Sequence, residues 1–335
     1  MFYDLTPLMS RQSLLSFVLG ERGVGKSYAF KKFVINDYLK RGNEFVYIRR
    51  YKDELTIACD SFFEQLTDNN EFEDHCLQVQ VSKKKVTKFK CDGNVFGYAV
   101  PLTTASILKS ASFGKVKTIV FDEFLICDPV HHYLRNEVIQ FLETIETIAR
   151  LRDVRIVLLA NASSEDNPYF DFFRIKLDLS KEFNTYKDGL ITVQYIKNEQ
   201  YRKAKRDTKF GRLIDGTEYG KYAIDNEFLL DDSSFIGPKS PNAVFYSTIV
   251  LRGQCYGVWL DRKAGEVYMS KAYDPSNPCI FTFTLADHKA GTIYAKARNS
   301  AWFIPVIEAF KQGKLTFEDQ KIKHAFIDVI RRCML

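Results

Sequence analysis

Leu14-Leu15-Ser16-Phe17-Val18-Leu19-Gly20-Glu21-Arg22-Gly23-Val24-Gly25-Lys26-Ser27 decides the fold. Five of its first six residues are apolar, which reads as a strand buried on both faces. A glycine-rich turn follows, then a helix whose stripe of Ala29, Phe30, Phe33, Val34 and Tyr38 ends at Gly42. Gly20, Gly25, Lys26 and Ser27 satisfy G-x-x-x-x-G-K-[ST], with Gly23 added inside the loop. Wrapping a phosphate requires backbone N–H groups to turn inward, through φ values and close approaches that a Cβ blocks. The helix then aims its unpaired N–H groups and positive dipole end at the same anion. The run Gly20-Glu21-Arg22-Gly23-Val24-Gly25-Lys26-Ser27-Tyr28 is therefore the candidate nucleotide cradle. Lys26 would reach the β- and γ-phosphates of ATP, and the Ser27 hydroxyl would ligate Mg²⁺.

The second signal is Lys117-Thr118-Ile119-Val120-Phe121-Asp122-Glu123, a buried strand ending in two carboxylates. Asp122 is placed to hold Mg²⁺ through water, and Glu123 to orient and deprotonate an attacking water. An acid directly after that Asp favours hydrolysis over transfer to a second substrate. Farther on, the apolar strand Ile156 to Ala160 ends at Asn161, which would either sense the γ-phosphate or cap a turn. Arg150, Arg152 and Arg155 offer an inserted guanidinium that could stabilise the transferring phosphoryl group; position alone does not choose among them.

Composition narrows the class. With 46% apolar and 27% charged residues, the 335-residue chain is expected to fold into two or three domains with cores of their own. No stretch nears the length of a membrane span, and Met1 to Gln12 lacks the pattern of a signal peptide, so a cytoplasmic protein without a membrane partner is expected. Seven scattered cysteines form no C-x-x-C pair and read as reduced thiols; Cys127 near His131 and His132 lacks two further ligands for zinc.

The net charge of +6 is concentrated. Lys197 to Arg212 carries Lys197, Arg202, Lys203, Lys205, Arg206, Lys209 and Arg212 against Glu199 and Asp207, which suits either a polyanion or a solvated linker helix. Lys83-Lys84-Lys85 with Lys88 and Lys90 lie in a hairpin over Leu77 to Pro101, where they would track phosphates or blunt an edge strand. Arg49-Arg50-Tyr51-Lys52 follows a strand at Glu44 to Arg49, on the ligand side of an open sheet; nucleotide, a neighbouring subunit and DNA are its candidate contacts. A helix is expected around Glu54 to Leu66. Past a strand at Gly189 to Ile196, hairpins dominate (Val244 to Leu251, Gln254 to Leu260, Glu266 to Ala272), then a strand at Phe281 to Leu285 and helices at Ala301–Lys311 and Phe317–Arg332.

Taken together, these motifs resemble the small DNA-packaging ATPases of phi-29-type tailed phages. The resemblance runs nearly end to end. It rests on the phosphate loop, on Tyr47-Ile48-Arg49-Arg50-Tyr51-Lys52, on Thr118 to Phe124, on Asn161-Ala162, and above all on Thr208-Lys209-Phe210-Gly211-Arg212-Leu213-Ile214-Asp215-Gly216-Thr217-Glu218-Tyr219-Gly220. It implies an α/β fold: an ASCE-class P-loop ATPase domain with a mainly parallel sheet (1–197), a small basic linker domain (198–228) and an α+β RNase H-like domain (229–335) that has lost its nuclease acids. Val244 to Leu251 indeed carries no Asp or Glu, where a two-metal nuclease needs one. The resemblance further implies a ring, usually a pentamer, on a capsid portal in the host cytoplasm, acting on double-stranded DNA, with a packaging RNA as a further candidate partner. It assigns Arg150 as a finger acting on the neighbouring subunit, with Arg152 as the alternative, and ties Lys52 to that neighbour's nucleotide. The functional expectation is an ATP-driven DNA translocase; a P-loop kinase and a DNA-cleaving terminase are the rivals.

Overall fold

A computed structural model of the chain describes residues 2–81, 86–104, 113–126, 132–162, 164–225, 235–251, 253–295 and 302–326. The chain forms two compact units, Met1–Leu230 and Asp231–Leu335.

The first unit runs α1 (Thr6–Met9), β1 (Leu15–Leu19), α2 (Lys26–Arg41), β2 (Glu44–Arg49), α3 (Lys52–Asp60), α4 (Glu64–Asp68), β3 (Leu77–Gln80), β4 (Thr87–Cys91), β5 (Asn94–Pro101), β6 (Val116–Asp122), α5 (Glu137–Ala149), β7 (Arg155–Ala160), α6 (Pro168–Phe173), β8 (Phe183–Tyr186) and β9 (Ile191–Tyr195). Three short helices follow: α7 (Glu199–Asp207), α8 (Lys209–Ile214) and α9 (Glu218–Ala223). Among the described residues the strands form one sheet, ordered β3-β4-β5-β2-β6-β7-β1-β9-β8. The stretch from β5 to β9 is parallel throughout, while the pairings at the edges, β3–β4, β4–β5 and β8–β9, are antiparallel.

Both faces of this sheet are covered, which is why its central strands read as unbroken apolar runs. Phe17, Ile119, Phe121 and Leu158 point into one layer with Phe141 of α5 and Tyr169 and Phe170 of α6. Val18, Val120, Val157 and Phe45 point into the other with Phe30 and Val34 of α2 and Leu55 of α3. Much of the aromatic content lies here. Phe45, Phe62, Phe63, Phe89 and Phe96 form one cluster, with the Phe62 and Phe89 ring centroids 4.2 Å apart.

That cluster also corrects the helix expected over Glu54 to Leu66. The helix breaks between Asp60 and Glu64, where Phe62 and Phe63 turn into the core against Phe45 and Phe89. The hairpin or small meander expected over Leu77 to Pro101 forms as β3, β4 and β5, with β3 at the edge of the sheet. Its last strand, β5, joins the sheet in parallel with β2.

The second unit contains β10 (Val244–Leu251), β11 (Gln254–Asp261), β12 (Glu266–Ser270), β13 (Ile280–Thr282), β14 (Ile293–Tyr294), α10 (Phe303–Lys311) and β15 (Leu315–Phe317). Its sheet is ordered β14-β13-β10-β11-β12-β15. An antiparallel meander, β10-β11-β12, is extended from β10 by two parallel strands, the arrangement expected of an RNase H-like sheet. Phe317 ends a strand paired with β12 rather than starting a helix, because Leu315 and Phe317 fill the core beneath Val267 and Met269. No described helix is long and apolar enough to cross a membrane.

One buried ion pair ties the first unit together. Arg50 meets Glu137 through two nitrogens, at 2.8 and 2.9 Å, and donates to the carbonyl oxygens of Glu123 and Phe124. Tyr169 Oη and the Leu134 N–H also donate to Glu137. Removing one partner strands a buried charge. Arg50→Met should therefore destabilise the first unit by roughly 3–5 kcal/mol, while Arg50→Met with Glu137→Leu should cost much less than the two single changes combined. Denaturant titration of the three variants measures this directly.

Candidate nucleotide-hydrolysis site

The carboxyl ends of β1, β6 and β7 lie side by side, since Leu19 is in register with Ala160 and Asp122 with Leu159. The loop after β1, the Asp122–Glu123 pair and Asn161 therefore emerge together. Asp122 and Ser27 meet: Ser27 Oγ lies 3.1 Å from both oxygens of Asp122. Lys26, only 8% exposed, donates to the carbonyl oxygens of Gly20 and Glu21 at 2.9 Å and to Asn161 Oδ1 at 3.0 Å. The turn is closed by Gly23 at φ 88°, where a Cβ would also come within 2.7 Å of the Tyr201 hydroxyl. Gly25 leads into α2, whose first residue is Lys26.

Tyr47, given no role in the sequence reading, and Arg49, one of its ligand-side basic residues, complete the acidic end. Tyr47 Oη donates to Asp122 Oδ2 at 2.9 Å. Arg49 reaches Glu123 Oε2 at 2.5 Å and Asp122 Oδ2 at 3.5 Å, and its Nε donates to Tyr47. Both lie on the same side of β2, two residues apart, beside the end of β6. Burial opposes the Arg49 charge, but Asp122, Tyr47 and Glu123 outweigh it and raise its pKa; burial and Asp122 likewise drive the Tyr47 hydroxyl well above its ordinary value. Only knowledge of the strand order could have paired them with Asp122. Glu123 itself has φ 59°, an unusual conformation for a non-glycine residue that turns its carboxylate out of the strand. Its side chain is 63% exposed, free of the core yet held by Arg49.

Donor chemistry tests whether MgATP suits this place. Ser27 Oγ and the Asp122 carboxylate are hard oxygen ligands set together, as Mg²⁺ requires. Lys26 currently satisfies loop carbonyls that a phosphate would compete with. Beside the loop opens a cleft of about 960 Å³ lined by Phe2, Tyr3, Tyr28, Phe33, Asn36 and Asn69, ample for a nucleoside. The residues fit the group.

Other sequence candidates fall elsewhere. Arg152 donates to the carbonyl oxygens of Gly114, Val116 and Ile148, which fixes it within its own subunit. Arg150 is exposed, with φ 53° and ψ −116°, at the end of α5. That end lies at the amino edge of the sheet, about 20 Å along β7 from the phosphate loop. Lys52 is exposed at the start of α3, on the same edge as the loop. Of the basic segment, Arg202 and Lys205 contact the phosphate loop, Arg206 pairs with Asp215 and Asp225, and Lys203 is exposed. Lys83, Lys84 and Lys85 lie outside the described residues, as do Cys127 and His131.

The DNA packaging protein of Bacillus phage phi29 is 38% identical over 334 residues, covering 99% of this chain and 98% of its own. A chain of the bacteriophage Phi-29 viral genome packaging motor assembly superposes with a TM-score of 0.77 at 36% identity, covering 99% of both chains. The crystallised N-terminal domain of the phi29 packaging ATPase covers 60% of this chain, at 38% identity and a TM-score of 0.54. All of residues 1–335 match the family described as podovirus DNA encapsidation protein (Gp16), and the chain belongs to that family.

Proposed function

We propose that this chain is the ATP-hydrolysing subunit of a ring motor that drives double-stranded DNA into a preformed capsid. The observation that carries the reading is Asp122 bonded to Ser27, with Glu123 next to it and Lys26 in the loop cradle. The phosphates of ATP would lie against the backbone of Gly20 to Ser27, held by Lys26, with the nucleoside in the cleft by Tyr28. Ser27 and Asp122 would hold Mg²⁺, which supplies neutralising charge to the phosphates. Glu123 would take a proton from the attacking water once it leaves Arg49, and Asn161 would contact the γ-phosphate after Lys26 turns towards it.

Arg150 cannot span about 20 Å to its own nucleotide, which supports a finger role towards a neighbouring subunit. Lys52 would face the adjacent subunit as well. A homo-oligomeric ring, a portal, duplex DNA and a site of action in the host cytoplasm complete the proposal. Residues 198–228 would serve as its linker and 229–335 as a domain without nuclease activity. In that unit Asp261 caps a turn, accepting from Ser240, Lys263 and Ala264, and Asp274 accepts twice from Ser276, so neither stands ready for a metal.

Glu123→Gln should bind ATP normally yet hydrolyse it on the order of 10²–10⁴-fold more slowly, measured by nucleotide binding beside single-turnover hydrolysis. Normal turnover in this variant would refute the catalytic assignment. Mixing Arg150→Ala with Lys26→Ala subunits should restore part of the activity that each lacks alone. Arg152→Ala mixed the same way should restore none, and should instead lower thermal stability. The full-length protein should leave duplex DNA uncut in Mg²⁺ or Mn²⁺.

A further inference from the structure

Helix α7 grips the phosphate loop through one face. Tyr201 Oη and Lys205 Nζ donate to the Arg22 carbonyl at 3.2 and 2.8 Å, and Arg202 Nε meets Glu21 Oε1 at 2.6 Å. Tyr201 and Arg202, four and three residues before Lys205, fall on the same side of the helix as it. The Glu21 side chain is fully buried, and its other oxygen, Oε2, has no hydrogen-bond partner among the described residues. Arg202, 13% exposed, is the cation bonded to it, with Lys205 on the same face near enough to feel its charge; the other contacts of Arg202 are Glu199 Oε1 and the Ile196 carbonyl.

A carboxylate at the second position of a phosphate cradle is a liability. The loop must be electropositive to hold a triphosphate, and a buried anion there repels it strongly through a low-dielectric medium. Burial also forbids screening by water. The main chain of the same residue accepts from Lys26, so any shift of Glu21 is felt at the amine that must reach the phosphates.

We propose that Arg202 is a positioning residue of the nucleotide site: by neutralising and holding Glu21 it lets the loop accept a triphosphate, and through it the loop's state is carried into α7. This rests on the nucleotide assignment above, and it gives Arg202 a role other than contact with DNA phosphates. The segment's basic character is then partly directed inward, at the loop. Gly211 keeps the next helix tight against α7, since a Cβ there would lie 1.9 Å from the Lys205 carbonyl oxygen.

The experiment measures binding of Mg²⁺ with a fluorescent ATP analogue, and ATP turnover, in the full-length chain. Arg202→Gln should raise the Kd and KM for ATP by tenfold or more, on the order expected for one uncompensated nearby charge, with kcat at saturation changed less than about threefold. Adding Glu21→Gln to Arg202→Gln should restore affinity to within about threefold of the wild type, and Arg202→Lys should fall between. The double variant removes both charges, so it tests the idea even if Arg202→Gln alone folds poorly. Unchanged ATP affinity in Arg202→Gln, or a folded double variant that stays weak, would overturn the proposal. Loss of duplex-DNA affinity with ATP affinity intact would overturn it too, assigning Arg202 to DNA instead. If the wild type itself bound no ATP analogue, the nucleotide assignment would fail first.

Discussion

Everything at the site depends on the level at which parallel strands end. β1 lies in register between β7 and β9, and β6 lies between β2 and β7, in register from Thr118 to Phe121 on both sides. Because the strands point the same way, their carboxyl ends share one edge, and Ser27, Asp122 and Asn161 are delivered there without long connections. A slip of one residue would exchange the two buried faces of a strand and carry Asp122 away from Ser27. Phe17, Phe121 and Leu158 on one face and Val18, Val120 and Val157 on the other make such a slip costly.

Concentrating acids at that edge creates an electrostatic problem, and adjacent arginines on β2 and just after it resolve it in different ways. Arg49 faces the acidic pair. It holds Asp122 and Glu123, the second through an exposed carboxylate that can leave. Arg50 serves the frame. Its bidentate pair with Glu137 is buried, and its contacts with the carbonyls of Glu123 and Phe124 fix the backbone from which the Glu123 carboxylate projects. The left-handed conformation of Glu123 is sustained by that frame rather than by local preference.

Charge is handled differently on the other side of the loop. There a helix rather than a strand supplies the cations, through Arg202 and Lys205, and ties a basic segment to the nucleotide cradle. Arg150 stands at the far edge of the sheet, away from the loop of its own chain. One set of basic residues thus faces inward to the loop of its own chain and another faces outward.

The order of apolar runs, glycines and terminal carboxylates was enough to determine the phosphate loop, the Asp122–Glu123 strand and the α/β class, because these follow from local pattern and chain-order chemistry. It also gave the hairpins of the second unit, whose turns are local. What the tertiary structure alone decided are contacts across distant segments. Tyr47 and Arg49 became partners of Asp122 only when β2 took its place beside β6. Arg152 was separated from Arg150 by the carbonyls that surround it, and Arg202 turned from a charge in a basic run into the counter-ion of Glu21. The break at Phe62 and Phe63 has the same origin: helical periodicity continues through them, but the aromatic core draws both rings inward. Spacing along the chain encodes which elements form; which charges meet is set by strand order and burial, and those emerge only when the elements pack.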